Sequence, residues 1–91
     1  MIQLDVSRLP APEPLLIILK SAAALSEDEI LHVIHRADPC KLKNFLDSDV
    51  FAAETVKISE DEFEIFIWHK KSTQAFELVQ KAVVNLRNRK N

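Results

Sequence analysis

Not one of the 91 residues is glycine, and that absence restricts how the chain can reverse direction. Glycine enters left-handed backbone without steric cost, and the tightest hairpin turns lean on it or on asparagine. A hairpin in this chain is therefore expected to use a wider turn built on type I geometry. A glycine-rich phosphate loop is ruled out for the same reason.

Ile2, Leu4 and Val6 alternate with Gln3 and Asp5, the period of a strand with one buried face. Pro10, Pro12 and Pro14 then fix an extended turn over residues 8–14, after which Leu15, Ile18, Leu19, Ala22 and Leu25 recur at helical spacing. Pro14 is tolerated in the first turn of that helix because the early amides have no intrahelical partner. Ser26, Glu27 and Asp28 end the pattern. Residues 29–35 read as a central strand, apolar on both faces, with Ile30 and Ile34 on one side and Leu31 and Val33 on the other.

Asp38 followed by Pro39 is a helix-start signal, and Leu42, Phe45 and Leu46 supply a short stripe, so a second helix is expected over residues 39–47. Residues 50–58 and 63–69 flank a polar connection of hairpin length and read as antiparallel strands. In the latter, Phe63, Ile65 and Ile67 face one way while Phe66 and Trp68 face the other. Ser72 or Thr73 can cap a last helix whose seam is Phe76, Val79, Val83 and Leu86. The order βαβαββα predicts an α/β (α+β) two-layer sandwich with two helices on one sheet face and a third appended. Phe66 and Trp68 then belong under the C-terminal helix, at a dimer interface, or both.

With 47% apolar and 29% charged residues the chain has the balance of a soluble globular protein. A domain this short buries only about 60 to 65% of its unfolded surface, which implies modest stability. Twelve Lys and Arg against 14 Asp and Glu leave a net charge of -2, which favours neither nucleic acid nor an anionic membrane. Lys81, Arg87, Arg89 and Lys90 form a local basic tail that reads as a solvated helix end. The single cysteine cannot form an intramolecular disulfide, the opening residues lack a secretory pattern, and the longest apolar run, residues 15–19, is too short for a bilayer. A cytoplasmic, non-membrane protein is the expectation.

Residues 4–19, LDVSRLPAPEPLLIIL, resemble the start of SirA/TusA-like domains, where a strand ending in Leu-Asp leads to a Cys-Pro-x-Pro motif that opens the first helix. Ala11, Pro12, Glu13 and Pro14 fill that motif here, with alanine at the position of the reactive cysteine. The following LSEDEILHVIHRADPCKLKNFL is similar to the second strand and helix of the family, and closest to its uncharacterised bacterial branch. The resemblance covers residues 2–70. It implies a SirA/TusA-like domain over residues 1–70, with residues 71–91 a helical extension packed on that domain or at a dimer interface. It also implies a mixed four-stranded sheet of order 1-2-4-3 with both helices on one side. Carriers of this type pass a persulfide between proteins during sulfur delivery for tRNA thiolation, a role that the methyl group of Ala11 cannot take.

Cys40 is the only thiol, expected at the second residue of helix two where the dipole and the cations Arg36, Lys41 and Lys43 would favour a thiolate, opposed by Asp38. Strands one and two should be parallel, which brings both helix starts to one sheet edge. The expected function is a non-catalytic protein-interaction or regulatory module docking a partner along that edge, with Arg8, Arg36, Asp38 and Lys41 as candidate contacts. The alternative makes Cys40 a relocated sulfur or redox carrier. A metal-binding role is disfavoured, since His32 and His35 point to opposite strand faces and only His35 and Cys40 could pair locally. RNA binding is disfavoured too, because Phe63 and Phe66 sit among Glu60, Asp61, Glu62 and Glu64. Neither a catalytic triad nor a paired-carboxylate site can be argued from the spacings, so no enzyme activity and no cofactor are expected. The Phe76 seam suits packing on its own sheet or on a second copy as a homodimer.

Overall fold

A computed structural model describes residues 1–89. Lys90, counted above in the basic tail, lies outside the described residues. The elements run β1 (Ile2–Asp5), α1 (Glu13–Ala23), β2 (Ile30–His35), α2 (Leu42–Phe45), β3 (Phe51–Ser59), β4 (Glu62–His69) and α3 (Thr73–Arg89). They form one mixed four-stranded sheet of order β1-β2-β4-β3. β1 pairs parallel with β2, while β4 runs antiparallel to both β2 and β3. This is the topology expected from the resemblance.

The sheet has a core on each face. On one, Leu31, Val33, Ile65 and Ile67 pack with Ile18 and Ala22 of α1 and with Leu42 and Leu46. On the other, Ile30, Val56, Phe66 and Trp68 pack with Ala75, Val79 and Val83 of α3. The two-sided apolar pattern of β2 and β4 is thereby accounted for, and α3 closes the face that the first two helices leave open. Burying a side chain such as Val79 or Ile67 contributes about 1.5–3 kcal/mol each.

The seam of α3 differs from expectation. Phe76 is 50% exposed, with its ring 6.3 Å from Trp68, and Ala75 takes the buried position instead. A methyl group at that point lets the helix approach the bulky Phe66 and Trp68, and the phenyl group one residue on lies at the margin of the contact. Ser72 starts the helix: its Oγ accepts from the Ala75 amide at 3.0 Å and donates to Asp28 Oδ1 at 2.7 Å. Glu54 of β3 accepts from Gln80 Nε2 at 3.1 Å and lies 3.5 Å from the Arg87 guanidinium, so one cation of the tail pairs within its own domain.

The hairpin is tighter than expected. Ser59 pairs directly with Glu62, leaving only Glu60 and Asp61 in the turn, and no described residue has positive φ. A right-handed turn of this kind splays its strands unless the ladder adjusts. The adjustment is a register shift between Lys57 and Ser59, where Ile58 is the additional residue.

The second helix is much shorter than the expected 39–47. Leu42 donates to the Pro39 carbonyl and Asn44 to that of Lys41, turns rather than a continuing helix, and Leu46 leaves in extended conformation at ψ 132°. Leu42 and Leu46 are both buried by this path. Cys40 consequently sits in a turn before a four-residue helix, not at the second position of a long one, and the dipole argument for a stabilised thiolate does not apply to it.

Candidate functional site at the two helix starts

The parallel pairing of β1 with β2 sends both following connections out at one end of the sheet. After β1, Val6 extends the ladder by donating to the Ile34 carbonyl at 2.9 Å, and its side chain is fully buried. The Asp5 carboxylate accepts from the Ser7 amide at 2.9 Å and the Ser7 hydroxyl at 2.6 Å, and these bonds hold its pKa below the ordinary aspartate value. Leu9 then donates to the Val6 carbonyl and Glu13 to that of Pro10, delivering the proline-rich stretch to the first turn of α1.

After β2, the Ala37 amide donates to Nδ1 of His35 at 3.1 Å. Burial, reinforced by the neighbouring Arg36, lowers the His35 pKa, so the ring favours the neutral form that this bond requires. The two connections enclose an open cavity of about 530 Å³. Ala11, Pro12 and Pro14 form part of its wall, and His35, Arg36, Asp38, Cys40 and Lys41 another part. Its apolar lining comes from Leu9, Leu15, Ile18 and Leu42, and Phe45 also lines it while 62% exposed.

The proline-flanked alanine and the lone thiol are therefore brought together as their positions in the chain led us to expect. Cys40 is exposed. Arg36, Asp38 and Lys41 belong to the wall, whereas Arg8 is exposed on the β1–α1 connection and does not line it. Glu13 is exposed at the start of α1, outside the cavity, and its helix has no side-chain cap.

His32 and His35 do lie on opposite faces. The His32 ring stacks on Phe66 at 4.5 Å between centroids, on the α3 side, and its Nε2 meets Glu64 Oε1 at 2.5 Å. The third histidine, His69, donates from Nε2 to the Leu25 carbonyl at 2.9 Å. Among the described residues no group of three or more His, Cys, Asp or Glu is placed to hold a metal ion. Phe63 and Phe66 are buried, which leaves neither ring available for stacking on a base. No helix among the described residues is long and apolar enough to cross a membrane.

Sequence reasoning missed the His32–Glu64 pair, because its partners lie in different strands and meet only through the β2–β4 register. The signal was present in the alternation: His32 and Glu64 occupy the same sheet face, diagonal to one another beside Phe66. Comparison of the chain with protein-family models, with curated proteins and with solved structures finds no match.

Proposed function

We propose that this chain is a non-catalytic protein-interaction module, related to SirA/TusA-like sulfur carriers, that docks a partner at the cavity between its two helix starts. The observation that carries this is the meeting of Ala11, Pro12 and Pro14 with Arg36, Asp38, Cys40 and Lys41 around one apolar hollow. Exposed apolar surface rimmed by charge, here centred on Phe45, is the usual make-up of a protein contact. Docking requires no sulfur chemistry, and Ala11 can perform none.

A photo-cross-linking amino acid at position 45, with a second variant at the exposed Val84 of α3 as control, tests this in cells. The expected result is a discrete cross-linked species from position 45 that is absent from position 84 and disappears when Ala11→Glu fills the cavity wall. Identical products from both positions would refute it.

A second reading has one observation in its favour: Cys40 is exposed and lines the same cavity as Ala11. As a carrier, the Cys40 thiolate would attack the outer sulfur of a partner's persulfide, forming a Cys40 persulfide and releasing the partner's thiolate. Mass spectrometry after incubation with a persulfide-bearing protein would then show one added sulfur on the wild type and none on Cys40→Ser.

A further inference from the structure

A second cavity, about 390 Å³, adjoins the first and shares Asp38, Pro39, Cys40 and Leu42 with it. It lies between residues 38–43, the turn and first residues of α2, and the alternate residues Ala53, Thr55 and Lys57 of β3, none of which is buried. The two hollows differ in chemistry. Leu9, Leu15, Ile18 and Leu42 line the first, whereas Thr55, Lys43 and Lys57 are among the residues that line the second.

Charge around the pair runs against that of the whole molecule. Arg36, Lys41, Lys43 and Lys57 line the two walls against Asp38 alone, in a chain whose formal charge is -2. Lys57 also lies 3.3 Å from Glu60, and because both side chains of that pair are exposed the pairing itself contributes little.

We propose that the paired cavities receive an extended acidic-apolar segment of a partner protein, with a leucine or phenylalanine side chain in the first hollow and carboxylates over Lys43 and Lys57 in the second. This rests on the docking reading and gives the partner's contact its chemistry. An extended segment of about four to six residues, advancing about 3.3 Å per residue, is long enough to place side chains in two hollows that share a wall. The apolar anchor supplies affinity, and the carboxylates supply orientation and a salt-sensitive association rate.

The test is an NMR titration of the full, isotope-labelled chain with an acetylated, amidated peptide Phe-Leu-Asp-Glu-Asp-Glu. Three companions are titrated beside it: a version with lysine for each acid, a version with alanine for Phe and Leu, and octanoate. The acidic-apolar peptide should shift Leu15 and Ile18 together with Thr55 and Lys57. Its affinity should fall with added salt, and by about tenfold in Lys43→Glu/Lys57→Glu, whose positions are exposed and whose dispersed spectrum reports an intact fold. The alanine version should lose the shifts at Leu15 and Ile18. Equal binding of the lysine version, equal binding to the double variant, octanoate binding without peptide binding, or no shift with any peptide at millimolar concentration would each overturn the proposal. Cross-linking at position 45 that persists alongside such a result would show that a partner docks here through some other chemistry; its loss would remove the docking reading as well.

Discussion

Ala11 and Cys40 line the same cavity, although one precedes α1 and the other precedes α2. The parallel β1–β2 pairing brings them there: Ile2 lies beside Leu31 and Asp5 beside Ile34, so both strands end on the same side of the sheet.

Ser72 joins two parts of the molecule by capping α3 and by donating to Asp28 in the segment before β2. Ser72→Ala should cost about 1–2 kcal/mol, since it removes a cap and leaves the Asp28 carboxylate without that donor. Urea unfolding measures it. Because both residues act through one hydroxyl, Ser72→Ala and Asp28→Ala should be less than additive when combined.

α3 covers Ile30, Val56, Phe66 and Trp68, so it is part of the core. A chain ending at Lys71 should lose cooperative unfolding and shift the emission of Trp68, the only tryptophan, towards that of a solvated indole. A folded, cooperative truncated chain would assign the helix to assembly instead. Val79→Ala in the full chain is the milder version, expected to cost about 1–3 kcal/mol.

His35 makes stability depend on pH. Its pKa is lowered in the folded chain, mainly by burial, so the unfolded chain binds more protons as pH falls through the ordinary imidazole range near 6.5. The group's stabilising effect is fully present above that range. It is lost progressively as pH falls towards the lowered value. His35→Asn, which keeps an acceptor for the Ala37 amide, should flatten the change in urea midpoint between roughly pH 7.5 and pH 5. Asp5 and Glu29, both lowered by hydrogen bonds from serines, act at more acid pH, losing their contribution as pH falls through the ordinary carboxylate range towards their lowered values.

The division of the core was legible because period-two alternation reports both faces of a strand directly: Ile65 and Ile67 turned to α1, Phe66 and Trp68 to α3; the strand order, by contrast, was expected only from the resemblance. Meeting of the two helix starts followed from parallel pairing. Helix α2 was overestimated because Asp38-Pro39 is also a good turn, and burial of Leu42 with Leu46 selects an extended exit over another helical turn. Phe76 was misplaced because helical spacing cannot distinguish a large residue at a contact's margin from a small one at its centre, which here is Ala75. The second cavity was invisible because its walls are far apart in sequence: the turn before α2 meets Thr55 and Lys57 of β3 and Phe63 of β4 only through the folded sheet.

Cys40 is exposed and outside any helix, so it should label fully in the folded chain with a thiol reagent, and Cys40→Ser should change stability by less than about 0.5 kcal/mol. A bound acidic-apolar peptide should slow that labelling, since Cys40 lines both cavities.

The meeting of the two helix starts on one rim is tested most directly by spin-label distances in solution. One label goes on Cys40 and the second on either Ala11→Cys or Ala24→Cys, at opposite ends of the first helix. At about 1.5 Å per residue the helix separates those ends by roughly 15 Å. The distance from position 40 to position 11 should be clearly the shorter of the two; equal distances, or the reverse order, would contradict it.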